Sequence, residues 1–139
     1  MTRAEQLLEL YETGAFELVI GQAVVDELDE VLDERFPAYR PQAVSLLMPF
    51  ADRLARRPTP TEMAAVLPVC SDPSDAPIFA SAVIARPDIV LSNDFQAFHT
   101  PQAKVFWRQH DITVESLYGL LCVFGRRERK GEPEFPLEG

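Results

Sequence analysis

Apolar positions along the chain fall into short runs with helical or strand-like spacing. Thr2 with Glu5 three residues later is a capping box; Leu7, Leu8, Leu10 and Tyr11 follow, and Gly14 suits a C′ position, so a short helix is predicted. Phe16–Ile20 is mostly apolar and lies between Gly14 and Gly21, which predicts a strand. A second helix is expected over Gln22–Arg35, with Pro37 and Pro41 bracketing its end. Pro41–Arg56 carries Val44, Leu47, Phe50, Ala51 and Leu54 at helical spacing, a third helix that Pro58 and Pro60 break. Ala64–Cys70, with Val66, Leu67 and Val69, reads as a second buried strand, although Pro68 sits within it.

Farther on, Asp72-Pro73-Ser74-Asp75 predicts a turn feeding a helix. Asp75 is its expected N-cap, Pro77 lies in its first turn, and Ile78, Phe79, Ala82, Val83 and Ala85 form its inner face. Asp88–Ser92 reads as a third strand, Val105-Phe106 and Ile112–Val114 as shorter candidates, and Ser116–Gly125 as the last helix. Strands alternating with helices predict an α/β fold around a mainly parallel sheet. The 139 residues suit one domain, expected over residues 1–127, with a mobile acidic Pro/Gly-containing tail over 128–139.

Thirteen Lys and Arg against 22 Asp and Glu give a net charge of −9, which excludes a basic nucleic-acid arm or a membrane-surface helix. No apolar run approaches the ~18–20 residues that span a bilayer. The polar start, Met1–Gln6, has no signal-peptide core, and a reduced cytoplasm is the expected setting. Cys70 and Cys122 are too few for a disulfide framework or a four-ligand zinc site, and Cys70 reads as a buried strand residue.

In parallel α/β sheets, sites lie beyond the carboxyl ends of the strands. Asp72 and Asp75 follow Cys70, Asp94 follows Leu91 and Ser92, and Ile20 leads into a helix bearing Glu27. Parallel strands would gather these carboxylates, and clustered oxygen donors suit a hard divalent ion such as Mg²⁺ or Mn²⁺. On a helical wheel, Val24, Val25, Leu28, Val31 and Leu32 share one arc, with Glu27 on one flank and Asp29 on the other; Asp26 and Glu30 face solvent. The wheel alone does not choose between Glu27 and Asp29. Each residue also has a plain reading: Asp75 as a cap, Glu27 as a solvated helix residue, His99 and His110 as loop or surface histidines.

Together and in this order, three segments resemble a PIN domain: Phe16–Ile20 followed by Val24-Val25-Asp26-Glu27-Leu28; Asp72–Asp75 leading into a helix; and Ile89-Val90-Leu91-Ser92-Asn93-Asp94-Phe95. Ile112–Leu117 resembles the family's last strand and helix, so the resemblance spans residues 3–125. It implies a three-layer α/β/α fold with a mainly parallel central sheet and a metal-dependent ribonuclease activity, often that of a toxin. Glu27, Asp75 and Asp94 would be the catalytic metal ligands, holding Mg²⁺ or Mn²⁺; Ser92 would support the Asp94 loop, and Asp72 would stand behind the ligands. RNA is the implied substrate, an antitoxin protein an implied partner, and a homodimer the favoured assembly. Arg53, Arg56, Arg57 and the Arg126–Lys130 run would supply a basic rim against the acidic background.

The sequence departs from the family at its start, where an apolar strand ending in an aspartate is expected and the N-terminal strand is missing. That strand is central in the family. The several apolar side chains it buries, at roughly 1.5–3 kcal/mol each, rival the ~5–15 kcal/mol stability of a whole domain. Two expectations follow: a longer natural protein, or a catalytically inactive PIN-like interaction module whose sheet a partner chain completes.

Overall fold

Thr2 opens helix α1 (Arg3–Glu12) as the capping box requires: its hydroxyl accepts from the Glu5 N–H at 3.1 Å, and the Glu5 carboxylate accepts from the Thr2 N–H at 3.0 Å. The helix closes on Gly14, whose φ of +81° is costly for a residue with a Cβ. There the Gly14 N–H donates to the Tyr11 carbonyl at 3.0 Å and the Ala15 N–H to the Leu10 carbonyl at 3.1 Å. These are features of a computed structural model that describes residues 2–39 and 54–128.

The described chain divides into two units. A middle unit comprises residues 18–39 and 54–87, and a terminal unit residues 2–17 and 88–128. In the middle unit, strand β1 (Ile20–Gly21) leads directly into α2 (Gln22–Arg35), the range its sequence predicts. Strand β2 (Leu54–Ala55) pairs parallel with β1, Ile20 against Leu54 and Gly21 against Ala55. Most of the helix expected over Pro41–Arg56 lies outside the described residues; Leu54 and Ala55 are strand because β1 gives their backbone a ladder partner. Of Phe16–Ile20, only Ile20 is in a strand among the described residues, paired with Leu54.

The predicted strand over Ala64–Cys70 is instead helix α3 (Pro60–Val66), followed by a 3₁₀ turn over Leu67–Val69. Pro60 sits at its start, and Thr59 and Glu62 form a second complete capping box. That local closure outweighs the apolar run, and Pro68, which a ladder would reject, is accommodated in the 3₁₀ turn. Cys70 therefore follows a turn and is half-buried; its thiol donates to the Val66 carbonyl at 3.3 Å.

Helix α4 (Ala76–Ala85) supplies much of the middle unit's core: Ala76, Phe79, Ala80 and Ser81 are buried, whereas Ile78, Ala82, Val83 and Ala85 are half-buried. The buried Ser81 hydroxyl is satisfied by the Pro77 carbonyl at 2.7 Å. A Cβ at Gly21 would meet the Ser81 Cβ at 3.0 Å, so glycine lets β1 approach α4 closely.

In the terminal unit, β3 (Ile89–Leu91) and β4 (Thr113–Glu115) pair parallel, Ile89 against Thr113 and Leu91 against Glu115. Between them run α5 (Phe95–Phe98) and α6 (Pro101–Gln109). Val105-Phe106, predicted as a strand, lies within α6, because Thr100 caps that helix and Pro101 starts it, placing Ala103, Phe106 and Trp107 on its buried face. The Trp107 indole packs 5.1 Å from the Phe106 ring and donates to the Phe98 carbonyl at 3.0 Å, which satisfies its N–H in the core. The last helix, α7 (Leu117–Glu128), contributes Leu120 and Leu121 to the same core and packs against α1. The α/β class and the parallel pairing are as predicted; among the described residues the strands form two pairs, one in each unit.

Thr59→Ala should lower stability by about 1 kcal/mol in urea unfolding by opening the cap of α3. A neutral result would mean that packing alone holds residues 60–66 helical. Trp107→Phe keeps a ring in the core but removes the indole hydrogen bond to the Phe98 carbonyl, and should cost about 1 kcal/mol in the same measurement.

Candidate functional site

Glu27 sits in the second turn of α2 and is exposed, while Asp29 on the other flank is half-buried. No residue of α2 is fully buried: Val24 and Val31 remain 39% and 38% exposed, so the apolar arc is only partly covered by the described residues. Asp26, expected to face solvent, is instead held by Arg57 through two bonds of 2.6 and 2.9 Å and by the Gln22 amide at 3.1 Å. Arg57 is thus tied to a carboxylate, as is Arg56, whose guanidinium meets Glu62 at 2.7 and 2.8 Å. The expected basic rim loses two of its charges to these pairs, because bidentate carboxylate binding satisfies the guanidinium fork. Arg53 and the side chains of Arg126–Lys130 lie outside the description.

Asp75 ends a 3₁₀ turn over Pro73–Asp75 and occupies the N-cap position of α4, but it makes no cap bond with its side chain. Asp72 caps the turn instead, accepting from the Ser74 N–H at 2.9 Å. The expectation that Asp75 caps the helix is therefore corrected: Asp75 has helical backbone angles (φ −86°, ψ −6°), whereas the extended backbone of a capping residue belongs to Asp72. Asp75 is half-buried, and its charge, with that of Asp72, adds to burial in pushing the Cys70 thiol pKa up.

Asp94 is exposed and follows β3 by three residues. Its Oδ1 accepts from the Ala97 N–H at 3.1 Å and caps α5, while its own N–H donates to the Ser92 hydroxyl at 3.1 Å. Ser92 therefore supports this loop. Two further anchors escape the sequence reading: Asn93, whose Oδ1 accepts from the Leu117 N–H at 2.9 Å, and His99, whose Nε2 lies 2.7 Å from the Ser92 carbonyl. Asn93 carries a usable signal, as a turn-forming side chain directly after a strand.

All three candidates offer carboxylate oxygens, the donor type that Mg²⁺ and Mn²⁺ prefer. The middle unit supplies Glu27 and Asp75, and the terminal unit Asp94. Among the described residues, no group of three or more His, Cys, Asp or Glu side chains is brought together to hold a metal ion. The donor chemistry of the three carboxylates fits such an ion.

Residues 1–96, a span containing Glu27, Asp75 and Asp94, match the family model of the PIN domain. The chain belongs to the PIN domain family. No curated protein and no solved structure matches it. PIN domains are generally divalent-metal-dependent nucleases that act on RNA. No helix among the described residues of this PIN domain is long and apolar enough to cross a membrane.

The two Arg–carboxylate pairs make a pH prediction. Hydrogen bonding to Arg57 lowers the Asp26 pKa from 3.8 to about 2, and hydrogen bonding to Arg56, with the Thr59 backbone, lowers that of Glu62 from 4.5 to about 2. Folded pKa values below the unfolded ones mean that this stability is present above about pH 4.5 and is lost as pH falls toward about 2. The urea midpoint should therefore hold level at neutral and mildly acid pH and decline below it. Arg57→Gln should remove most of the share of the decline that belongs to Asp26, the Gln22 amide keeping the rest, and that share is modest because the Asp26 side chain is 43% exposed. An unchanged profile in that variant would show that the pair does not persist in solution.

Proposed function

We propose that this PIN domain is a metal-dependent ribonuclease in which Glu27, Asp75 and Asp94 hold Mg²⁺ or Mn²⁺. The observation that carries the reading is the family match, which covers all three residues in one span. Local structure supports it: Glu27 is exposed, and Asp94 presents its carboxylate from an anchored loop. When bound, such an ion acidifies a water and neutralises the charge that develops on the phosphate. The residues' part is to orient carboxylate oxygens and to leave room for a phosphodiester. Ser92 and Asn93 contribute by holding the Asp94 backbone. The reading extends to the toxin of a toxin–antitoxin pair, with an antitoxin partner and a homodimer, on the strength of the family resemblance alone.

The strand pairs favour a second reading, a catalytically inactive PIN-like interaction module completed by a partner chain. Among the described residues they are two and three residues long, and two-stranded pairs are marginal without further cover. One experiment separates the readings. Single-stranded RNA is offered to the chain with Mg²⁺, with Mn²⁺ and with chelator, alongside Asp94→Asn, and Mn²⁺ binding is measured by titration calorimetry. The nuclease reading expects cleavage that chelator abolishes, and a drop of at least ~100-fold in Mn²⁺ affinity for Asp94→Asn, since loss even of an outer support for a ligand costs 10–100-fold. No cleavage with either ion, together with unchanged Mn²⁺ affinity in the variant, would overturn it in favour of the module.

A further inference from the structure

Three successive residues, Ser92, Asn93 and Asp94, are each tied to a different part of the terminal unit. The Ser92 N–H donates to the Glu115 carbonyl of β4 at 3.0 Å, Asn93 accepts from the first residue of α7, and Asp94 caps α5. A further anchor is the imidazole of His99. The Nε2 of His99 lies 2.7 Å from the Ser92 carbonyl. A carbonyl only accepts, so this nitrogen must carry the proton. The His99 ring is half-buried and lies 4.3 Å from that of Phe95, which follows Asp94 directly. The imidazole thus grips the loop on both sides of Asp94: by a hydrogen bond to the carbonyl two residues before it and by ring packing on the residue after it.

We infer that His99 is a positioning residue for Asp94, fixing the loop so that the carboxylate keeps one orientation. The inference rests on the metal-ligand role proposed for Asp94 and adds a residue to it. Two variants separate the contributions. His99→Phe keeps a ring against Phe95 and removes the donor; His99→Gln restores an N–H donor on a side chain of similar reach.

Hydrogen exchange at the Asp94 and Ala97 amides reads the loop without metal, and Mn²⁺ titration reads the ligand. His99→Phe should exchange at least ~10-fold faster at both amides and bind Mn²⁺ about 10–100-fold more weakly, with a urea midpoint close to that of the unsubstituted chain. His99→Gln should recover both properties. In the unsubstituted protein, imidazole ¹⁵N NMR should find the neutral ring protonated at Nε2; protonation at Nδ1 alone would overturn the inference without recourse to any variant. Wild-type Mn²⁺ affinity in His99→Phe, alongside its loss in Asp94→Asn, would overturn the role of His99 and leave the nuclease reading standing. An unsubstituted chain that binds no Mn²⁺ would overturn the metal reading and this inference with it.

Discussion

Backbone N–H groups at the starts of short elements must find partners, and among the described residues side-chain oxygens supply them at six such starts. Among the described residues, strand pairs of two and three residues satisfy few backbone groups, so the helices and turns between them have to close their own ends. Thr2, Thr59, Asp72, Asp94 and Thr100 each accept from the first turn of the element they precede. The Ser116 hydroxyl does the same for the Gly119 N–H in the last helix. Where the chain bends is decided by these contacts as much as by apolar burial.

The same constraint shapes the candidate chemistry. Capping and metal binding both draw on carboxylate oxygens, so each acidic residue near a helix start has a choice of work. At the head of α4, Asp72 makes the cap bond and Asp75 does not. Asp94 caps through Oδ1, and a carboxylate has lone pairs to spare beyond one such bond. A cap of this kind also orients the group, because the N–H it accepts from belongs to a helix that cannot turn freely.

Charge is handled locally as well. With a net charge of −9, an acidic surface would repel a nucleic acid, and the arginines that follow β2 do not stand free to attract one. Arg56 braces the capping box of α3 through Glu62, and Arg57 braces α2 through Asp26. Cations that look available as a run in the sequence therefore serve to join elements of the middle unit.

Much of this was legible in the sequence, and what was legible was local. The Thr2–Glu5 box, Gly14 and the span of α2 follow from bonds between residues a few positions apart, which any structure of this chain must satisfy. The Thr59–Glu62 box was equally visible, yet the apolar run after it suggested a strand; hydrophobic residues alone do not distinguish a short helix from a short strand. The α/β class and the positions of Glu27 and Asp94 were likewise set by residue order. Only tertiary structure could decide that Leu54 and Ala55 extend beside Ile20 and Gly21, that Arg57 reaches back to Asp26, and that His99 seizes the carbonyl of Ser92. The reason is physical: strand length depends on the partner, and an ion pair or a hydrogen bond to the backbone depends on where the folded chain has carried each group, which the spacing of residues does not encode.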